Sequence, residues 1–300
     1  MELIVVPPDH YDIKESYNTR MRPHLPYGRP DKKLAYLQWA EMAATLRFDL
    51  GVNVHYLEPT AGLDDEAFAC DSGLWIENMF IAGLFEPVFR RGEKHQFMLW
   101  FCNHNRYTHP MFFAIKEIEN PDARFEGGDC LLVKDTLLVG YGERGTEGYQ
   151  RTNGEGIKEL IGLLSGAVKV IPVRRITKEF YHLNSVMAYY PSAELLAVYP
   201  DAFHPDDLKG VEQELKVKVV RLRKEDVYRH HPAIGGEYLY SYCLNSIENN
   251  GKVLMPYVSD GHGDVLTKHS LTPLVPKLGS SEFEKSGGSY RCLTMIHNIV

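Results

Sequence analysis

Between Gly127 and Val173 the chain spells a strand pair, a helix and a further strand, and this order returns along its length. Gly127-Gly128 opens the pair, Cys130 to Val133 and Thr136 to Tyr141, joined by a tight Lys134-Asp135 turn. A helix follows from about Gly154 to Leu164, then a strand from Val168 to Val173. None of these pieces buries its apolar face alone, so the unit predicts a helix laid on a small mixed sheet.

The same order is read elsewhere. Leu3 to Val6 is a short strand closed by Pro7-Pro8, and Asp9 to Pro30 is a Tyr-, Arg- and Pro-rich loop suited to covering a pocket. Asp31 caps a helix whose Leu34, Leu37, Ala40, Met42, Ala43 and Leu46 keep helical spacing as far as Gly51, and Val52 to Leu57 follows as a strand. Leu74 to Phe85 reads as one strand, and Phe180 to Tyr190 as a β-rich run pairing with Leu195 to Val198. A helix from about Asp206 to Leu215, a strand at Val217 to Leu222, a pair formed by Tyr238 to Leu244 and Lys252 to Pro256, a short helix near Gly263 to His269 and a terminal strand complete the chain. That makes about five units without visible sequence identity between them. No linker separates them, so residues 1–300 are expected to form one domain.

Composition narrows the function classes. A net charge of -7 argues against a nucleic-acid partner, which a basic patch would announce. The opening residues Met1 to Pro8 lack a basic region and carry too short an apolar run for a signal segment, and no later run approaches a membrane span. A cytoplasmic protein is expected. Its five cysteines, Cys70, Cys102, Cys130, Cys243 and Cys292, are widely spaced without a C-x-x-C pair, so thiols are expected instead of disulfides. The closest histidine sets, His230-His231 and His104 with His109, give no recognised zinc-ligand spacing, so neither a metal nor another cofactor is expected.

Ser286-Gly287-Gly288-Ser289-Tyr290-Arg291-Cys292-Leu293-Thr294 places a thiol after a glycine-rich approach and before an apolar strand. Read alone, Cys292 is most simply a small buried hydrophobe. Read with the rest, it is a candidate nucleophile. Phe68-Ala69-Cys70-Asp71, Glu126-Gly127-Gly128-Asp129, His182-Leu183-Asn184-Ser185 and Gly287-Gly288-Ser289-Tyr290-Arg291-Cys292, in this order, resemble the guanidino-modifying enzymes of the pentein superfamily: arginine deiminases, dimethylarginine dimethylaminohydrolases, arginine dihydrolases and amidinotransferases. The resemblance spans nearly the whole chain. It implies an α/β fold, a five-bladed propeller of ββαβ-like modules around a pseudo-fivefold axis that carries the active site.

The resemblance also implies roles. A guanidinium carbon is a poor electrophile because its charge is spread over three nitrogens, so a thiolate must attack it; Cys292 stands in that position. His182 would serve as acid and then base, oriented by Glu126. Asp71 matches the carboxylate that meets the substrate cation, and Asp65 matches a further polar contact. Arg144 matches an arginine that binds the substrate α-carboxylate, with Arg90 or Arg91 as a second. Asn184 stands where many relatives carry a second aspartate, leaving the site less anionic. Asn18 resembles an asparagine of the dihydrolase branch, whereas Asp71 stands where that branch has another asparagine.

The expected partner is a small arginine-like molecule. The leading reading is a cysteine-dependent hydrolase acting through a thiouronium-type intermediate, with an amidinotransferase that passes the amidino group to an amine acceptor as the alternative. A non-catalytic pentein used as a binding platform is the third. A catalytic thiolate predicts alkylation well below the ordinary thiol pKa of about 8.5. Assembly into homo-oligomers is left open.

Overall fold

The computed structural model describes residues 1–108, 113–146, 151–230 and 238–300. His109 and His231 lie outside them. In chain order the elements are β1 (Glu2–Val5), α1 (Lys32–Ala44) and β2 (Asn53–Tyr56); β3 (Gly73–Ile76), β4 (Met79–Ala82), α2 (Glu93–Thr108) and β5 (Ala114–Glu117); β6 (Cys130–Val133), β7 (Thr136–Tyr141), α3 (Gly154–Leu164) and β8 (Lys169–Arg174). There follow β9 (Met187–Tyr190), β10 (Leu195–Val198), α4 (Pro205–Leu215) and β11 (Lys218–Arg221); α5 (Lys224–Val227), β12 (Tyr228–His230) and β13 (Tyr238–Tyr240); β14 (Ile247–Asn249), β15 (Lys252–Leu254), α6 (Asp260–Lys268) and β16 (Thr272–Leu274); α7 (Ser281–Glu284) and β17 (Met295–Asn298).

One pairing rule organises the sheets. β3 and β4 are antiparallel and β4 lies parallel to β5; the same holds for β6, β7 and β8, for β9, β10 and β11, and for β14, β15 and β16. The remaining unit is made from both ends of the chain, with β17 antiparallel to β1 and β1 parallel to β2. Among the described residues the ββαβ arrangement therefore occurs five times. Each parallel step requires a crossover, which α1, α2, α3, α4 and α6 supply. The side chains of Asp31, Asn153 and Ser259 start three of these helices by accepting from the backbone N–H groups of Leu34, Gly156 and His262. Within the third unit Ile157, Leu160 and Leu164 of α3 pack with Leu137 and Val139 of β7, each buried side chain contributing roughly 1.5–3 kcal/mol.

Three readings of the sequence are corrected. Leu74 to Phe85 is not one strand but the β3–β4 hairpin, reversed at Glu77, which takes a positive φ of 46°. Only Met187 to Tyr190 of the Phe180 run is strand; His182 instead precedes a one-turn 3₁₀ segment, Leu183–Ser185. The pair assigned to Tyr238 and Lys252 does not form, because β13 pairs with β12 and β15 with β14. The helix α2 and strand β5 were not read from the sequence at all.

The topology positions the site. A short 3₁₀ turn enters the first strand of three of the units: Ala69–Ser72 before β3, Gly127–Asp129 before β6 and Leu183–Ser185 before β9. The Gly127–Asp129 turn packs on both of the others. Asp71, Glu126, His182, Asn245 and Cys292 occupy the corresponding entries of the five units, so strand order converts residues far apart in sequence into neighbours.

Candidate active site

Cys292, His182 and Asp71 line one cavity together with Asn18, Arg90 and Arg151; Tyr17, Phe68, Tyr181 and Ser286 complete its wall. Its interior leaves space of about 10 Å³, enough for roughly one water molecule. Tyr17 and Asn18 bring the early loop over it, as the sequence suggested. Asn18 Nδ2 donates to the Ser286 carbonyl at 2.9 Å.

His182 is held between two carboxylates. Its Nε2 lies 3.0 Å from Glu126 Oε2 and its Nδ1 lies 3.4 Å from Asp71 Oδ1, all three side chains being buried. Of the two contacts only that to Glu126 is a hydrogen bond; Asp71 Oδ1 faces Nδ1 without one. Burial alone would raise the Glu126 carboxyl, but Arg151, 3.6 Å away, and His182 outweigh it and hold Glu126 at about 2. The Glu-Gly-Gly-Asp segment fits because Gly128 leaves no room for more: a Cβ there would come within 2.7 Å of His182 Nδ1 and 2.8 Å of Asp71 Oδ1. Asp129 locks the same turn by accepting from the backbone N–H of Leu183 at 3.1 Å and of Thr152 at 3.3 Å.

Cys292 sits in a turn ahead of β17. Gly287, at φ 94°, has Tyr181 Oη 2.4 Å from where its Cβ would stand, so this approach is a packed turn and not the flexible one that its glycines suggest. Asn245 Oδ1 accepts from the backbone N–H groups of Ser289 (3.1 Å) and Cys292 (3.2 Å), while Asn245 Nδ2 donates to Cys292 Sγ at 3.1 Å. Cys292 Sγ in turn donates to Asn184 Oδ1 at 3.3 Å. Burial first, and then the negative charge of Asp71, push the Cys292 thiol well above its ordinary value. Both causes oppose the low-pKa thiolate expected of the unliganded protein: burial strips the sulfur of hydration, and Asp71 adds charge of the wrong sign.

The remaining assignments divide. Arg90 does reach the cavity, but its guanidinium forks onto Glu93 at 2.8 and 2.9 Å and donates to Asp71 Oδ2 at 3.0 Å, so it buttresses the carboxylate. Arg91 donates to the Phe85 carbonyl. Asp65 is buried one step away, accepting from the Tyr17 hydroxyl, with its carboxyl pushed up by burial against the pull of Arg90. Asn184 faces the sulfurs of Cys292 and Cys70 and does not line the cavity. Arg144 is not brought to the cavity: it is exposed on the turn after β7, with Nη2 3.5 Å from the Asp122 carbonyl.

Two residues were missed. Arg151 is buried in the cavity wall, its guanidinium 5.1 Å from the ring centroids of both Tyr17 and Tyr181, and its Nε has no hydrogen-bond partner among the described residues. Asn245 holds the nucleophile turn, and its place at the entry of the β14–β16 unit is a signal that repeat reasoning could have used. Asp71, Glu126 and His182 offer ligand-type atoms within 4.8 Å of one another. The guanidinium groups already facing both carboxylates weigh against a divalent cation there.

Such a site defines a buried thiol–imidazole–carboxylate centre on an α/β scaffold. No protein-family model matches the chain. An uncharacterised protein of Caenorhabditis elegans is 29% identical over 298 residues, 98% of this chain and 92% of that protein. The dimethylarginine dimethylaminohydrolase of Mycobacterium tuberculosis is 24% identical over 291 residues, 97% of this chain and 84% of that protein. The bifunctional arginine dihydrolase/ornithine cyclodeaminase ArgZ of Synechocystis is 24% identical over 98% of this chain, which spans 37% of its length. The crystal structure of the N-terminal domain of ArgZ bound to product superposes with a TM-score of 0.82 at 24% identity, covering 99% of this chain and 98% of that one. A dimethylarginine dimethylaminohydrolase adduct with S-methyl-L-thiocitrulline gives 0.74 at 19% identity, covering 98% of both. Over nearly its whole length the chain is thus similar to a dimethylarginine dimethylaminohydrolase and to arginine dihydrolases, and it has the pentein fold of the solved ones.

Proposed function

We propose that this protein is a cysteine-dependent hydrolase of the guanidino group of arginine or a close derivative. The observation that carries this reading is the convergence of Cys292, His182 and Asp71 on one cavity, with His182 braced by Glu126. The named relatives, a dimethylarginine dimethylaminohydrolase and an arginine dihydrolase, support hydrolysis over amidino transfer. The finer architecture we propose is one domain of five blades closed around a pseudo-fivefold axis, in a cytoplasmic protein.

In this mechanism the guanidinium settles against Asp71, whose Oδ1 makes no hydrogen bond to the described residues. The incoming cation offsets the charge that keeps the thiol protonated, and the Cys292 proton passes to solvent. Sulfur attacks the guanidino carbon, giving a tetrahedral adduct. His182 protonates one nitrogen, the C–N bond breaks, and ammonia or an amine departs, leaving a thiouronium-type intermediate. Water then gives a proton to His182 and its oxygen to the same carbon; the C–S bond breaks, and the departing thiolate takes the remaining hydroxyl proton of the adduct, which restores the thiol and leaves a C=O. Arg151, whose Nε has no partner among the described residues, is the group we propose for the substrate α-carboxylate in place of Arg144. The near-filled cavity requires Tyr17 and Asn18 to move before arginine enters.

The test is incubation with arginine, with and without glycine, followed by mass analysis. Citrulline, or ornithine with ammonia, is expected; a new guanidino compound that forms only with glycine would replace hydrolysis by amidino transfer.

A further inference from the structure

A second cavity, of about 420 Å³, shares no lining residue with the catalytic one. Its walls include Leu131, Met187, Ile247 and Ile296, and Arg291 reaches it from the turn that carries Cys292. A volume in this range suits a small ligand.

Arg291 is only 8% exposed, yet among the described residues no carboxylate pairs with it. Its Nη1 donates to the Thr294 carbonyl at 2.9 Å and to Cys70 Sγ at 3.2 Å; Nε and Nη2 make no hydrogen bond to the described residues. A cation this far from solvent ordinarily has an anion beside it. The one carboxylate side chain among the described lining residues, Glu248, is committed elsewhere: Oε1 accepts from Ser192 Oγ at 2.8 Å and the Gly251 N–H at 2.6 Å, and Oε2 from the Ser192 N–H at 3.1 Å. Lys134 at the rim lies 3.2 Å from Glu194.

We propose that this cavity binds a small organic carboxylate with an apolar body. The carboxylate pairs with Arg291, and the body lies on Leu131, Met187, Ile247 and Ile296. Because Glu248 is spoken for, the cavity holds no free carboxylate for an ammonium group, which separates its ligand from amino acids and from the cationic head group taken at Asp71. The inference stands independently of the catalytic reading.

Calorimetric titration of the full chain with octanoate, octylamine, leucine and inorganic phosphate tests it. Octanoate should bind saturably, and octylamine and leucine should not. Arg291→Met should weaken octanoate at least ~10-fold, the scale of one charge-assisted pair. Lys134→Glu, an exposed change that keeps the test valid if Arg291→Met misfolds, should weaken it about threefold by repulsion. Arg151→Ala should leave it within about twofold, since that residue belongs to the other cavity. No saturation by about 10 mM, undiminished octanoate binding in both Arg291→Met and Lys134→Glu, or equal binding of octylamine would overturn the proposal. Binding of phosphate without octanoate would remove the apolar body from it.

Discussion

His182 Nε2 lies 3.0 Å from Glu126 Oε2, and Arg151 stands on the far side of that carboxylate, so the imidazole is oriented by a group that is itself pinned. Glu126→Gln keeps the shape but removes the charge. Turnover should fall by at least ~10²-fold, as expected when an acid–base residue loses its support, and His182→Ala should fall at least as far. A normal rate in either variant would reassign the pair.

The same carboxylate carries a pH signature. Its folded-state pKa is lowered to about 2 from 4.5, so its contribution to stability is present above 4.5 and is lost as pH falls towards 2. Thermal unfolding followed from pH 5 to 2 should show a steep acid limb in the wild type and a shallower one in Glu126→Gln; identical limbs would mean that other carboxylates govern acid denaturation.

Cys292 should be sluggish towards iodoacetamide at pH 7 to 8 in the free protein, because burial and Asp71 both disfavour its thiolate. Asp71→Asn removes one of those causes. It should therefore speed alkylation of the free protein while weakening substrate binding, two effects of opposite sense from one substitution. Slower alkylation in Asp71→Asn would show that Asp71 does not act on the sulfur. Cys292→Ser should retain binding and lose turnover.

The arginines are separable with a substrate lacking the carboxylate. Arg151→Ala should raise KM for arginine by ~10²-fold, the scale of a charged hydrogen-bonded pair, while Arg144→Ala stays within about threefold. Agmatine, which is decarboxylated arginine, controls for damage to Glu126: if Arg151 meets the carboxylate, wild type and variant should differ much less on agmatine than on arginine. An equal loss on both would leave Arg151 as a support for Glu126 alone.

Much of this centre was legible because its residues lie in short segments whose geometry tolerates few alternatives. Gly128 is wedged between His182 and Asp71, so the Glu-Gly-Gly-Asp string carries structural information beyond its length. Helices α1, α3 and α4 were legible from caps and apolar spacing. In α2, by contrast, Phe97 and Phe101 are buried while Leu99 between them is 56% exposed, so apolar residues fall on several faces and blur the period. Arg144 and Arg151 show where motif reading fails: both follow β7, and only the fold reveals which one turns inward. The β3–β4 reversal was hidden because Glu77 and Asn78 lack the glycine that usually marks such a turn.

Asn245 offers the last test, since it touches both the backbone and the sulfur of the nucleophile turn. Its Oδ1 takes the N–H groups of Ser289 and Cys292, and its Nδ2 donates to Cys292 Sγ. Asn245→Ala strands two buried donors and should destabilise the protein by about 1–3 kcal/mol for each that stays unsatisfied. Asn245→Asp preserves the acceptor for both N–H groups but exchanges the donor at sulfur for a negative charge. Its melting temperature should lie closer to the wild type than that of Asn245→Ala, and its thiol should alkylate more slowly than in the wild type. If Asn245→Asp alkylates at the wild-type rate, the amide holds the turn in place without acting on the sulfur, and nucleophile control rests with Asp71 and Asn184.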